Sequence, residues 1–374
     1  MPRALPARRP SNGQGLLHRT VIAAEVLPTP AQAERRLAQI LAADSAQTGG
    51  HADRLMLMLT RSCELRCAYC LVGLSEQGAG QDFAGEYHAG RPLGDMPPAT
   101  LEAALDHLVR SPKPKLGLQI FGGEPTRRWD LLQLAVSRAR ARRDVEVQLT
   151  TNGLNLDGPR LRWLADHDVT VQLSVDGLGR DNRFRSTRHA LDAAITTLRD
   201  GPARWFLNVT VPPAASAELP DRYARARDAG VPAVQLNYAT GMRYTAAQLD
   251  AYLGGLDACL RANAAHGGVQ LYNWQNAADP APLCGDVICD TDGALLQVGG
   301  IFHEARFPSL YAAYRRGTVA DGAPFAATRS TLAELSSRTE TALSTEDWAI
   351  FRQGMLLGAA QDLVCRLARK ELGR

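Results

Sequence analysis

No apolar run in this chain approaches the roughly 20 residues that a membrane-spanning helix needs. The first 24 residues contain four arginines and no acidic residue, but they lack the apolar stretch of a secretory signal, so we expect a cytoplasmic protein. The formal net charge is only +3, which gives no electrostatic case for a nucleic-acid partner. With 45% hydrophobic residues in 374, the chain is long enough for one large core and a smaller appended unit.

Cysteine is also scarce, with seven residues at uneven spacing, which argues against a disulfide framework. Three of them, Cys63, Cys67 and Cys70, form the pattern C-x3-C-x2-C. Thiolates are the natural ligands of iron–sulfur clusters. Three thiolates on one loop can hold three irons of a cubane and leave the fourth iron open to a bound molecule. A structural zinc site needs four ligands and a bacterial ferredoxin run has C-x2-C-x2-C spacing, so neither fits.

Strand-like and helix-like segments alternate from residue 54 to residue 265. The six expected strands are Arg54–Thr60, Lys115–Phe121, Val145–Thr150, Thr170–Ser174, Trp205–Val211 and Ala233–Tyr238. This alternation predicts an α/β fold whose parallel sheet is built from right-handed βαβ units. Because a closed TIM barrel needs eight units, six units predict a partial, open (β/α)6 TIM-like barrel.

The pattern changes after about residue 268 to short strands and a mostly helical tail. Short strands are expected at Val269–Trp274, Val287–Cys289 and Ala294–Val298, with a hairpin turn at Asp292-Gly293 between the last two. We therefore expect an N-terminal arm with a short helix over 1–50, the partial barrel over 51–267, and a small α+β C-terminal domain over 268–374.

Polar and glycine-rich motifs follow the expected strands at their carboxyl ends, where parallel α/β sheets place their active sites. The cysteine loop follows the first strand, Gly122–Pro125 the second, Thr151–Gly153 the third, and Ser174–Gly177 closes the fourth. Strands of one parallel sheet bring these motifs to a single edge. In this order, the motifs resemble those of the radical S-adenosylmethionine (SAM) superfamily over roughly residues 53–240.

The resemblance implies a role for each motif residue. It assigns a [4Fe–4S] cluster to Cys63, Cys67 and Cys70, and SAM binding to Tyr69, Gly122, Gly123, Glu124, Thr151, Asn152, Ser174, Asp176 and Arg185. Tyr69 would lie against the adenine, and Arg185 would pair with the SAM carboxylate. Asn182 stands where relatives usually have Asp before that arginine.

The residues within these motifs are similar to those of the peptide- and protein-modifying branch of the superfamily. Members of that branch usually carry a C-terminal SPASM or twitch domain with auxiliary clusters. Here Cys284-Gly285 and the following hairpin are similar to the start of such a domain, but most of its later cysteines are missing. We therefore expect a degenerate domain in which Cys259, Cys284, Cys289 and Cys365 pack as small hydrophobes. The alternative is that these four cysteines converge on one auxiliary cluster.

The implied activity is reductive cleavage of SAM to a 5′-deoxyadenosyl radical that abstracts hydrogen from a peptide, with flavodoxin or ferredoxin as electron donor. No catalytic side chain is assigned. Candidates for substrate contact in the C-terminal region are Asp286, Asp290, His303 and Glu304. Two alternatives remain: a radical SAM enzyme that acts on a small molecule such as an amino sugar, and a non-catalytic iron–sulfur protein.

Overall fold

The computed structural model describes residues 27–46, 53–65, 67, 69–70, 94–178, 188–275, 282–283, 286–297, 300–301, 306–322 and 330–374. Its strands are β1 (Arg54–Met58), β2 (Leu116–Phe121), β3 (Val145–Thr151), β4 (Val169–Val175), β5 (Trp205–Val211), β6 (Ala233–Tyr238), β7 (Gln270–Leu271), β8 (Val287–Cys289), β9 (Ala294–Gln297) and β10 (Arg315–Thr318). All belong to one sheet in the order β10-β9-β8-β1-β2-β3-β4-β5-β6-β7.

The helices alternate with the strands of this sheet. They are α1 (Pro30–Ala46), α2 (Pro98–Val109), α3 (Trp129–Arg142), α4 (Gly158–Asp166), α5 (Arg188–Asp200), α6 (Leu219–Asp228), α7 (Ala246–His266), α8 (Ser309–Tyr314), α9 (Leu332–Ala342) and α10 (Thr345–Leu372). Strands β8 and β1 through β7 run parallel, and the sheet ends at β7 and β10 without closing. This confirms the predicted α/β partial barrel.

The main core lies between the sheet and the helices packed against it. Residues at alternate positions along the strands point toward the helices, and Leu57, Ile120 and Leu149 are fully buried there with Leu105 and Leu132. Burial of such side chains supplies most of the free energy that favours this fold. The opposite positions of β2 to β6 face the inside of the partial barrel and line a cavity, whereas Met56, Met58 and Ile288 on β1 and β8 are buried in another apolar cluster.

The strands beyond residue 268 extend the barrel sheet. Strand β8 pairs in parallel with β1, and β9 and β10 follow it as antiparallel neighbours. A second buried cluster joins the N-terminal helix to the C-terminal helices, with Leu37 of α1 against Leu335 of α9 and Phe351 of α10. Within this joined structure, the division at residues 267 and 268 stays a prediction.

Two expected strands end early, each for an identifiable reason. The first was expected to reach Thr60, but β1 ends at Met58, and Thr60 then forms a bridge with Asp95. The strand expected at Val269–Trp274 is reduced to Gln270–Leu271. There the fully buried side chain of Asn273 bonds both the backbone N–H and the carbonyl of Leu236 at 2.8 Å, so one carboxamide replaces continued strand pairing.

Helix ends carry the side chains that their unpaired backbone groups require. Thr245 and Gln248 form a reciprocal capping box at the start of α7, and Thr331 and Glu334 form another at the start of α9. Among the described residues, no helix has the length and apolar character needed to cross a membrane.

The core packing predicts the effect of truncating a central strand residue. Replacing Leu149 with alanine removes a fully buried side chain and should lower the free energy of unfolding by about 2–5 kcal/mol. Glu146→Ala, at an exposed position of the same strand, should change it by less than about 0.5 kcal/mol. Urea unfolding followed by far-UV circular dichroism measures both. Equal effects of the two substitutions would contradict this assignment of the core.

Candidate functional site

The carboxyl ends of the parallel strands surround a cavity of about 560 Å³. This volume is within the range typical of small-molecule sites. Within the described residues, each of the four strand-end motifs contributes to its wall. The lining includes Cys63, Cys67, Cys70, Tyr69, Gly122, Gly123, Glu124, Thr151, Asn152 and Ser174. The fold therefore brings together, at one edge of the sheet, motifs that are spread over more than a hundred residues of the sequence.

The cysteine loop presents its three thiols to this cavity. Cys67 is buried, whereas Cys63 and Cys70 are partly exposed. The backbone N–H of Leu65 donates to Cys63 Sγ at 3.4 Å, and the N–H of Cys70 donates to the carbonyl of Cys67 at 3.0 Å. Three thiols on one wall fit a cluster that keeps an iron open to a ligand.

The chemistry of these donors agrees with iron–sulfur binding. Thiolates are soft ligands that select iron–sulfur clusters, zinc or copper(I). Burial raises the pKa of the Cys63 thiol, so binding of iron by this thiol would release its proton. Among the described residues, no three His, Cys, Asp or Glu side chains are grouped closely enough to hold a single metal ion.

A buried ion pair anchors the start of the cysteine loop. Arg61 donates from Nε and Nη2 to the two carboxylate oxygens of Asp290, at 3.0 and 2.6 Å, and both residues are almost fully buried. Tyr311 on α8 donates to the same carboxylate at 2.9 Å. Burial alone would raise the pKa of Asp290, but hydrogen bonds and charge from Arg61 outweigh it and lower the pKa.

Asp290 was proposed from the sequence as a substrate contact, and this prediction is wrong. Asp290 is 1% exposed and its carboxylate is held by Arg61 and Tyr311, so it supports the cysteine loop and does not face a substrate.

The middle of the loop is anchored to the end of β3. Glu64 Oε1 accepts hydrogen bonds from the side chains of Asn152 and Asn155 at 3.1 and 3.2 Å. Arg127 approaches the other oxygen at 3.9 Å. The loop is therefore held on both sides, by the C-terminal strands and by the β3 end. Sequence reasoning missed Arg61 and Glu64, because charged residues beside cysteines give no indication of their distant partners.

The paired glycines after β2 allow the backbone to approach the cysteine loop. A Cβ atom at Gly122 would clash with the carbonyl oxygen of Thr60. A Cβ atom at Gly123 would lie 2.8 Å from the carbonyl oxygen of Arg61 and 2.6 Å from the carbonyl carbon of Ser62. Both glycines line the cavity, and the structure shows in addition that their backbone closely approaches the loop that carries the cysteines.

Glu124 joins the ends of β2 and β3. Its buried carboxylate accepts hydrogen bonds from the backbone N–H of Thr126 at 3.0 Å, the hydroxyl of Thr151 at 2.7 Å and the backbone N–H of Asn152 at 2.8 Å. Burial, the largest influence, raises its pKa despite these donors. Most of its hydrogen-bonding capacity is used within the protein, so its carboxylate mainly positions the two motifs.

A buried hydrogen bond holds the side chain of Tyr69, the aromatic residue before the last cysteine. Tyr69 is buried and donates from its hydroxyl to Asp176 Oδ1. Asp176 is itself fully buried, and its backbone carbonyl accepts from the buried guanidinium of Arg222. Ser174 lines the cavity, whereas Asp176 lies behind Tyr69 and is not part of the cavity wall.

The other predicted residues lie either outside the described residues or away from the cavity wall. Arg185 lies outside the described residues, as do Cys284, His303 and Glu304, and Asp286 is half-buried away from the cavity wall. Cys259, Cys289 and Cys365 are buried in the main core among apolar side chains. Burial raises the pKa of Cys365 to about 12, so this thiol stays neutral at physiological pH.

Comparison with known families gives this geometry a context. The model of the radical SAM superfamily matches residues 57–201, which include the cysteine loop and the motifs after β2, β3 and β4. These residues form a radical SAM domain. The predicted superfamily is therefore confirmed, and with it the expectation of a [4Fe–4S] cluster and SAM, which are the cofactors of this domain.

A curated relative is the radical SAM cyclopropyl synthase TigE of Paramaledivibacter caminithermalis, 19% identical over 156 residues. The match covers 41% of this chain and 33% of the relative. The chain thus spans about a third of the length of the curated relative it matches.

Solved structures extend the likeness of the fold beyond that domain. Native anSMEcpe with bound AdoMet and the Cp18Cys peptide is 14% identical, with a TM-score of 0.61 over 85% of this chain and 99% of that one. Streptococcus suis SuiB bound to its precursor peptide SuiA is 11% identical, with a TM-score of 0.54 over 82% of this chain and 70% of that one. At these identities the likeness concerns the fold.

The glycine packing predicts that Gly123→Ala displaces the cysteine loop. We expect a loss of about 1–3 kcal/mol in the free energy of unfolding and fewer irons per reconstituted chain, because the new methyl group meets backbone atoms that cannot turn away. Gly254→Ala is the matched control, since its Cβ would meet nothing within 4 Å on α7. Iron analysis and urea unfolding test both variants, and full iron content in Gly123→Ala would refute the packing argument.

The buried ion pair predicts a pH-dependent loss in Asp290→Asn. Leaving Arg61 buried without its partner charge should cost about 3–5 kcal/mol near neutral pH. Because the folded pKa of Asp290 is lowered, the pair stabilises fully above its unfolded pKa of about 3.9, and this stabilisation declines as the pH falls through the folded value. The difference between wild type and variant should thus be constant from pH 8 to about pH 5 and narrow in stronger acid.

Urea unfolding across this pH range measures that difference. Asp292→Asn in the same hairpin is the matched control, since its exposed side chain keeps the hydrogen bond to the N–H of Ala294. A difference that grew on acidification would contradict the assignment.

Proposed function

We propose that this chain is a radical SAM enzyme that abstracts hydrogen from a peptide substrate bound inside the partial barrel. The observation that carries the proposal is the convergence of three thiols and the SAM motifs on one cavity. When bound, the cluster and SAM supply a reductive cleavage that yields methionine and a 5′-deoxyadenosyl radical.

In this proposal, some residues of the chain bind the cluster and SAM, and others position the binding residues. Cys63, Cys67 and Cys70 hold the cluster, and Arg61 and Glu64 fix the loop that carries them. Tyr69, set by its bond to Asp176, presents its ring beside the cluster loop, where the adenine would lie.

At the ends of β2, β3 and β4, the backbone of Gly122, Gly123 and Glu124 and the polar groups of Thr151, Asn152 and Ser174 line the cavity and are available to SAM. Arg185 is proposed as partner of the SAM carboxylate. A bound substrate would close the cavity and exclude water from the radical.

A peptide substrate is supported by the structural neighbours, two of which were solved with peptides bound. Both fold likenesses extend over more than 80% of this chain, beyond the domain that binds SAM. Within this proposal, the C-terminal region is a degenerate counterpart of a SPASM or twitch domain, without a second cluster. Flavodoxin or ferredoxin would supply the electron in the cytoplasm.

Replacement of a cluster cysteine tests the proposal directly. Anaerobically reconstituted wild type should contain about four irons per chain and form 5′-deoxyadenosine from SAM and dithionite. Cys63→Ala should lose both. Cys365→Ala and Cys259→Ala, at buried positions in the core, should keep both, with only a loss of stability. Formation of 5′-deoxyadenosine by Cys63→Ala at the wild-type rate would refute the enzymatic proposal, and about eight irons in wild type would refute the single cluster.

A further inference from the structure

The inner face of the partial barrel carries a wall of carboxamides that the SAM motifs do not explain. Five consecutive parallel strands, β2 to β6, each contribute at least one to the cavity. They are Gln119, Gln148, Gln172, Asn208, Gln235 and Asn237. The register places Gln119 opposite Gln148 and Asn208 opposite Gln235, whereas Gln172 lies opposite Phe206. The six side chains, called the carboxamide wall below, thus form two polar groups, one on β2 to β4 and one on β5 and β6.

This surface is electrically neutral. Of the residues that line the cavity in the described structure, only Arg54 and Glu124 are Asp, Glu, Lys or Arg. Arg54 is an exposed residue at the first position of β1, at the far end from the cysteine loop. The carboxylate of Glu124 accepts donors from the ends of β2 and β3. A charged group entering between β2 and β6 would therefore lose water without gaining an opposite charge from the described residues of this face, which is unfavourable.

The carboxamide wall keeps hydrogen-bonding capacity for a ligand. Gln119 donates to Thr150 at 2.9 Å, Gln148 donates to Gln172, and Asn237 donates to Asn208. Each carboxamide has two N–H donors and an oxygen with two lone pairs, so one bond uses only part of it. The N–H groups of Gln172 and the whole carboxamide of Gln235 have no protein partner among the described residues. They face the cavity and are half-buried.

We propose that the carboxamide wall binds an internal segment of a peptide whose reacting residue has an uncharged side chain. This inference rests on the proposed function and narrows its substrate. A peptide bond offers one donor and one acceptor, and a side-chain carboxamide matches both. An internal segment carries no terminal charge, and a neutral side chain brings none, so both suit a neutral wall. A cationic amino sugar or a charged residue at the reaction centre is excluded by the same argument.

The test uses tripeptides capped by acetyl and amide groups, with a fully carbon-deuterated central residue. Asparagine and aspartate form an almost isosteric pair that differs in charge, lysine supplies the opposite charge, and deuterated methyl glucoside represents neutral sugars. Reconstituted holoprotein is incubated with SAM, dithionite and each compound, and deuterium in 5′-deoxyadenosine is measured by mass spectrometry. A C–D bond of the compound breaks and a C–D bond forms at the 5′ carbon. A second electron from dithionite and a solvent proton restore the compound.

Wild type should transfer at least about tenfold more deuterium from the asparagine tripeptide than from the aspartate or lysine tripeptide. Saturation-transfer NMR on holoprotein without dithionite should give the same order for binding. In Gln235→Glu, which adds a charge at constant shape, transfer from the asparagine tripeptide should fall and transfer from the lysine tripeptide should rise. Gln235→Met keeps volume and neutrality, and should lower transfer from all three peptides. Gln270→Glu on β7, exposed and outside the cavity, is the matched control.

The possible results distinguish a failure of the carboxamide proposal from a failure of the proposed function. Absence of 5′-deoxyadenosine in every sample refutes the proposed function. If 5′-deoxyadenosine forms, then equal transfer from asparagine and aspartate, transfer from no peptide, or greater transfer from the glucoside overturns the carboxamide proposal. Iron analysis of each variant shows whether the cluster site has folded. A variant that lacks iron is replaced by Asn237→Asp, which carries the same expectation as Gln235→Glu.

Discussion

The position of the cysteine loop depends on the buried ion pair between Arg61 and Asp290. Three thiols can share one cluster only if the loop that carries them is held in one conformation, and a short loop cannot fix itself. The two charge-assisted hydrogen bonds from Arg61 give it a defined direction at its first turn. The free-energy cost of removing the two charges from water nearly equals the gain from their attraction. This pair therefore contributes more to the geometry of the loop than to net stability.

This pair makes the N-terminal half of the site dependent on the C-terminal region. Asp290 follows β8, which pairs with β1, and Tyr311 of α8 holds the same carboxylate. Arg61 and Asp290 are 229 positions apart in the chain, so the loop is fixed only after the C-terminal strands have joined the sheet. The C-terminal region therefore has a structural role in the site. It completes the sheet beside β1 and supplies the counter-charge to the cysteine loop.

The sequence was most informative where the signal is local. The strands Trp205–Val211 and Ala233–Tyr238 were predicted to the residue, because alternating hydrophobicity and a following turn determine both ends. The positions of the SAM motifs followed from the strand ends. The sequence did not show why glycine is required at positions 122 and 123. The reason is close packing against backbone atoms about 60 residues earlier in the chain. Asp290 was misassigned because an acidic residue at a hairpin has the same sequence context whether it faces solvent or a buried arginine.

The carboxamide wall left a sequence signal that strand prediction does not use. Strands β3 and β4 share the pattern V-x-V-Q-L, with buried aliphatic residues at odd positions and a glutamine between them. A parallel sheet covered on both faces by apolar groups would carry aliphatic residues at both positions. Polar residues at every second position therefore indicate an inner face that is not packed.

The outer face supplies the core, so the inner face can remain open without loss of the fold. Neutral amides are suited to that face, because an unpaired carboxamide in a half-open cavity costs far less to desolvate than an unpaired charge. Because the carboxamides are uncharged, the wall costs the fold little when no ligand is bound. For the same reason it is selective for an uncharged ligand.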